Sequence, residues 1–250
     1  MPRADQLLVD RGLASSRSQA QRLIAAGLRW QTANGMWHHV SKNGDVLPED
    51  CVLELQDDAE SRYVSRGGLK LAGALQATGV KVSGMRCLDV GQSTGGFTDV
   101  LLQHGALHVT GIDVGQGQLH PKLQNDPRVR CIEKHNARVL NLDAFKGEPL
   151  FDLVVADVSF ISLTLLIPAM VDVLEAAGQL LLLVKPQFEL QPEDIGKGGL
   201  VKDPIKYPVV ESRLRQCFAQ HGIEVMQWLS SPITGGDGNQ EFFIYGRKAL

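Results

Sequence analysis

Between residues 86 and 185, four short aliphatic runs each carry a charge at or near their far end. They are Arg86-Cys87-Leu88-Asp89-Val90, His108-Val109-Thr110-Gly111-Ile112-Asp113, Leu153-Val154-Val155-Ala156-Asp157 and Leu180-Leu181-Leu182-Leu183-Val184-Lys185. From residue 66 onward such runs alternate with helix-period segments, a pattern that predicts an α/β fold with a doubly wound parallel sheet. The spacing places strands at 86–91, 108–113, 129–133, 152–158, 179–185, 223–229 and 241–247, and helices at 67–78, 96–104, 162–176 and 205–220. In open sheets of this kind a ligand lies outside the carboxyl ends of the strands. Those ends hold Asp89, Asp113, Asp157 and Lys185. A charge buried there without a partner is costly, so each needs one. An Asp157–Lys185 ion pair that merely closes the sheet edge and a functional pair are both open at this point.

The turn after the first of these strands is rich in glycine: Gly91-Gln92-Ser93-Thr94-Gly95-Gly96. Glycines let the backbone approach a ligand, and the amides that open the next helix are unpaired donors. The order Gly91-x-x-x-Gly95-Gly96 departs from the Gly-x-Gly-x-x-Gly that cradles a pyrophosphate. Asp113 follows Asp89 by 24 residues, a spacing that suits the hydroxyls of a ribose. A nucleoside cofactor without phosphates fits both facts, and S-adenosylmethionine is one. Asp89, Gly91, Ser93, Gly95, Gly96 and Phe97 are candidates for its methionine end, and Asp157 is a further candidate contact.

The first third reads differently. Helices are expected over Ala4 to Arg11 and Arg17 to Ala26, the second opened by the capping box Ser16-Arg17-Ser18-Gln19 and closed at Gly27. Ala20, Leu23, Ile24 and Gly27 share its inward face. Strand-like pieces follow at 28–31, 36–40 and 51–55, the first two joined through an Asn34-Gly35 turn. The polar run 56–61 reads as a linker, which divides the chain into domains 1–60 and 61–250. Residues 1–34 hold five arginines (Arg3, Arg11, Arg17, Arg22, Arg29) against Asp5 and Asp10. That excess hints at RNA contact, although a solvated helix face gives the same pattern.

Composition narrows the field. The net charge of −3 does not mark a general nucleic-acid binder, so any basic surface is local. Cys51, Cys87, Cys131 and Cys217 are scattered, which speaks against disulfide frameworks and zinc sites and fits a reducing cytoplasm. His38, His39 and His120 lack metal-ligand spacing, so no metal is expected. Trp30, Trp37 and Trp228 offer either base-stacking rings or ordinary packing. The first residues do not read as a leader, and no apolar run approaches the length of a membrane span.

Longer motifs carry a resemblance. Ser65-Arg66-Gly67-Gly68-Leu69-Lys70-Leu71, the 89–99 loop, Asp157-Val158-Ser159-Phe160-Ile161-Ser162-Leu163, Leu183-Val184-Lys185-Pro186-Gln187-Phe188-Glu189, Gly196-Lys197-Gly198-Gly199 and Gly238-Asn239-Gln240-Glu241-Phe242 resemble the FtsJ/RrmJ-like ribosomal RNA 2′-O-methyltransferases, and more narrowly the TlyA family. Residues 3–12 and 16–27 resemble the S4 RNA-binding fold. The resemblance implies a Rossmann-like class I methyltransferase domain behind a small α+β S4-like domain. It also implies S-adenosylmethionine as cofactor and 2′-O-methylation of ribose, on cytidine, in ribosomal RNA or ribosomal subunits. A Lys–Asp–Lys–Glu tetrad falls on Lys70, Asp157, Lys185 and Glu241, and Asn136 comes out as an adenine contact, its other reading being a turn cap. Arg3, Arg11, Arg17, Arg22 and Lys197 are the RNA-contact candidates, Lys197 on a glycine-rich segment that suits a lid. Gln92 stands where relatives carry a small residue. Competing readings are a methyltransferase of small molecules or proteins, an assembly factor that binds RNA with little or no methyl transfer, and a haemolysin-type protein.

Overall fold

The computed structural model describes residues 1–14, 16–32, 35–55, 62–140, 145, 147 and 149–249. They form two compact units, Met1–Arg66 and Gly67–Leu250. The expected 56–61 linker and Asn34 of the expected turn lie outside the described residues.

The first unit holds α1 (Ala4–Asp10), α2 (Arg17–Gly27), β1 (Leu28–Gln31), β2 (Trp37–His39) and β3 (Val52–Leu55). Ser16 caps α2 as the sequence suggests, its Oγ accepting from the Gln19 amide at 3.2 Å. Ala20, Leu23 and Ile24 point into a core shared with Leu7, Leu8 and Leu28. The strands form an antiparallel sheet in the order β2-β1-β3.

The second unit runs α3 (Gly67–Thr78), β4 (Arg86–Val90), α4 (Gly96–Gln103), β5 (His108–Ile112), α5 (Pro121–Gln124), β6 (Val129–Ile132), β7 (Phe151–Ala156), α6 (Ile167–Asp172), β8 (Leu174–Val184), α7 (Tyr207–Gln220), β9 (Ile223–Ser230) and β10 (Phe242–Lys248). Seven strands make one sheet in the order β6-β5-β4-β7-β8-β10-β9. Strands β4 to β8 pair in parallel, and the apolar runs of β4, β5, β7 and β8 are buried on both faces, while the edge strand β6 is only partly covered.

Two expectations need correction. The sheet is not wholly parallel, because β10 runs antiparallel to both β8 and β9. This brings the start of β10 to the carboxyl lip of the other strands. Nor does a helix fill 162–176. Ser162 caps a single 3-10 turn, α6 spans only Ile167–Asp172, and the chain enters β8 at Leu174. The strand wins because the Phe151 amide donates to the Val173 carbonyl and Phe151 pairs with Leu174. Lys248 Nζ then takes up the Val171 and Leu174 carbonyls at 3.0 and 2.9 Å, groups the short helix leaves open.

Candidate active site at the carboxyl lip of the sheet

Two lysine–carboxylate pairs stand at this lip. Lys185, just past β8, lies 2.6 Å from Asp157, just past β7, and also donates to Ser159 Oγ at 2.9 Å. Lys70 on α3 lies 2.6 Å from Glu241, just before β10. The register explains how a residue so late in the chain arrives here: Phe242 pairs with Val184, so Glu241 and Lys185 occupy adjoining strand ends. Burial raises the Glu241 carboxyl above its usual range; Lys70 and then Lys185 oppose the rise, and Asp157 adds to it. The four residues thus form one electrostatic cluster in which each lysine has its own carboxylate. Asp157 is its most accessible member, 23 % exposed, against 2 % for Glu241.

A cavity of about 620 Å³ adjoins Asp157 and is lined by Gly91, Ser93, Asp113 and Asn136 among others. Gly91 has φ 82, and a Cβ there would stand 2.5 Å from the Asp157 carbonyl oxygen. Only glycine lets β4 and β7 meet so closely. Asp113 accepts from the amides of Ser93 and Gly115, both at 2.7 Å, and so anchors the glycine turn. Asn136 both lines the cavity and caps the following 3-10 turn, accepting from the Arg138 amide at 3.0 Å. His135 lines the same cavity with Nε2 buried and unpartnered among the described residues.

Other candidates sit elsewhere. Asp89, Gly95, Gly96 and Phe97 do not line this cavity. Gly95 caps α4 and abuts Leu119 and Leu123, Gly96 is the first residue of the helix, and Phe97 stacks on Phe243 with ring centroids 6.2 Å apart. Asp89 is buried; its Oδ2 accepts from Thr98 at 2.7 Å, and burial pushes its carboxyl up to about 7.

Among the RNA-contact candidates, Arg3 and Arg17 both bind the fully buried Asp5, at 3.0 and 3.1 Å, while their side chains stay about half exposed. The hydrogen bonds from Arg3, with smaller help from Arg17 and Gln21, hold the Asp5 carboxyl well below the usual carboxylate range. Arg11 instead donates to the carbonyls of Cys51 and Glu49, a structural clasp. Arg22 is half-buried on α2, and Lys197 is exposed. The Lys197 segment is tied down at its end: Asn239 donates to the Gly199 carbonyl at 2.9 Å and accepts from the Val201 amide at 3.0 Å. Trp30 stacks on His38, Trp37 lies under Arg29, and Trp228 stacks on Phe242. His120 caps α5 by accepting from the Lys122 amide. Among the described residues no metal-holding cluster occurs, and no helix is long and apolar enough to cross a membrane.

Sequence reasoning missed Ser159, whose hydroxyl looked like one polar letter in a motif, and Phe160. Phe160 is 90 % exposed at the cavity, with φ 64 and its ring 5.0 Å from that of Phe188. An apolar letter beside a buried strand reads as core. Its one available signal was placement just after a polar strand tip.

A sheet of six like-directed strands and one reversed, with its polar groups gathered at the carboxyl lip beside a glycine turn, defines a Rossmann-like enzyme of the methyltransferase type. Residues 63–248 match the FtsJ-like methyltransferase family and residues 2–28 match the S4 domain. The chain belongs to the FtsJ-like methyltransferase family. It is 44% identical over 248 residues to the 16S/23S rRNA (cytidine-2′-O)-methyltransferase TlyA of Mycobacterium tuberculosis, covering 98% of this chain and 89% of that protein. It is 38% identical to a Brachyspira hyodysenteriae protein named Hemolysin A, covering 97% of this chain and 98% of that one. A solved structure described as a hemolysin from Streptococcus thermophilus superposes with a TM-score of 0.75 at 41% identity, covering 100% of this chain and 90% of that chain. The expected fold class and family are borne out.

Proposed function

We propose that this protein transfers a methyl group from S-adenosylmethionine to the 2′-hydroxyl of a ribose, on cytidine, in ribosomal RNA. The observation that carries the proposal is the pair of lysine–carboxylate contacts at one sheet lip beside the 620 Å³ cavity. The residues lining the cavity suit the cofactor: Asp113 for the ribose hydroxyls, Gly91 for close approach of the backbone and Asn136 for the adenine edge. Outside that lining, near the end of β4 and ahead of Gly91, the buried, unpartnered Oδ1 of Asp89 is assigned to the methionine ammonium. When bound, S-adenosylmethionine supplies an activated methyl on its sulfonium.

The chain's own residues must then hold a weakly nucleophilic hydroxyl in line and receive its proton. Lys185 is assigned this work, held by Asp157 and Ser159. Lys70, fixed by Glu241, adds positive potential that favours the developing oxyanion. Phe160 offers an exposed ring on which a nucleobase can stack. The S4 unit, through Arg3 and Arg17, docks structured ribosomal RNA, free or within a subunit, in the cytoplasm.

Incubation with tritiated S-adenosylmethionine and unmethylated subunits, naked RNA or protein extract tests the reading. Alkali-stable label in the ribose of subunit RNA is the expected result. Label confined to protein or metabolites would overturn it, and tight RNA binding without turnover would point to an assembly factor.

A further inference from the structure

Gln92 departs from the small residue expected at its position, and its side chain neither enters the cofactor cavity nor faces solvent. Its amide nitrogen donates to the Ile112 carbonyl, and its side chain lies across Gly111, where any Cβ would meet the carboxamide at 2.0–2.2 Å. It is 3 % exposed. Its Nε2 donates to Thr98 Oγ1 at 2.9 Å, and Thr98 Oγ1 lies 2.7 Å from Asp89 Oδ2. Direction follows from the inventory of protons. An amide N–H can only donate, so the hydroxyl oxygen accepts from it, and the single hydroxyl proton goes to the carboxylate. Asp89 Oδ2 is therefore held by a one-way chain, while Oδ1 stays buried with no partner among the described residues.

We propose that Gln92 and Thr98 are positioning residues that hold Asp89 and favour its carboxylate form, with Oδ1 reserved for the ammonium of the bound cofactor. The inference rests on the cofactor assignment made above. A hydrogen bond donated to a carboxylate favours its charged form, and a chain in which the donor is itself polarised strengthens that effect. The opposing influences are burial, then the carboxylates of Asp157 beyond β7 and Asp113 beyond β5. Cys87, on the same strand, is held as a neutral thiol chiefly by burial. α4 contributes the Thr98 hydroxyl and, more weakly, the Thr98 backbone amide, which every Thr98 variant keeps. With burial pushing Asp89 up to about 7, the chain decides how much of it is ionised at neutral pH. Breaking the chain should raise that value further, so a cation binds Asp89 more weakly at pH 7 and the acid limb of the affinity profile moves to higher pH.

Calorimetric titration of the full chain with S-adenosylmethionine across pH 5.5–8.5, without RNA, tests this directly. Thr98→Val keeps the shape and removes the hydroxyl; Gln92→Leu keeps the volume over Gly111 and removes the amide; Thr98→Ser restores the hydroxyl. The expected result is about fivefold weaker binding at pH 7 in Thr98→Val, with its acid limb about one pH unit higher. Gln92→Leu should shift the same way by less, and Thr98→Ser should follow the wild type. A purely structural role would lower the thermal midpoint of the variants and leave the acid limb in place, which would overturn the proposal. Should Thr98→Val fail to fold, Gln92→Leu alone decides by the same criterion. Absence of binding by the wild type would overturn the cofactor assignment and this inference together, whereas wild-type binding with unmoved limbs in the variants would overturn this inference alone.

Discussion

Lys185 is the residue to which the proposed proton transfer is assigned, and its surroundings allow a clean test. Its partner Asp157 is 23 % exposed, so removing the lysine leaves a carboxylate that water can reach rather than one stranded in the core. Lys185→Ala should therefore keep a thermal midpoint close to the wild type and an S-adenosylmethionine affinity within about twofold, while methyl transfer to subunit RNA falls by at least about 100-fold. Single-turnover transfer with saturating cofactor measures this without interference from product release. Near-normal transfer would reduce Lys185–Asp157 to the edge-closing ion pair that the sequence left open. Lys70 and Glu241 do not permit so simple a test. At 10 % and 2 % exposure, loss of either leaves its partner buried and unpaired, and folding and activity would be lost together.

At the scale of elements, Gly91 joins β4 to β7, and the joint has no slack. Its φ of 82 already disfavours a side chain, and a Cβ would stand 2.5 Å from backbone, not from a flexible side-chain end. The same junction carries the bond from the Asp157 amide to the Val90 carbonyl at 3.0 Å. Gly91→Ala should destabilise the protein by about 2 kcal/mol or more, read as a lower urea midpoint; a wild-type midpoint would mean that the junction yields. These junctions also show what a sequence can disclose. An apolar run ending in a charge announces a strand tip, so Asp113, Asp157 and Lys185 could be set at one lip from their spacing alone. Glu241 could not, since its arrival depends on β10 running backwards beside β8, and strand direction leaves no periodic trace. Nor did the sequence say where Gln92 points: whether a side chain beside a glycine turn faces the ligand or folds over the next strand depends on the missing Cβ of Gly111. The helix expected to 176 stops at Asp172 because pairing with β7 claims Leu174, a competition between distant segments.

Across the whole molecule, charge is segregated rather than merely low. The chain carries a net −3, yet its first 34 residues hold five arginines against two acids. Asp5, buried and held ionised by its guanidinium partners, spends its charge on keeping Arg3 and Arg17 in place, and both remain about half exposed. An acidic protein can thus present a local cationic surface whose geometry is set from beneath, which suits structured RNA better than a mobile basic tail would. Phosphate contacts of this kind strengthen binding with little regard to sequence and weaken as salt displaces them. Arg17→Gln should lower affinity for ribosomal subunits several-fold at low salt and reduce the slope of log affinity against log salt by about one. S-adenosylmethionine affinity should stay at the wild-type value, because that site is built entirely within the second unit. Filter binding over 50–300 mM salt, paired with cofactor calorimetry, measures both. An unchanged slope would mean that Arg17 serves only to hold Asp5, and would move the RNA-facing surface of the S4 unit to other residues.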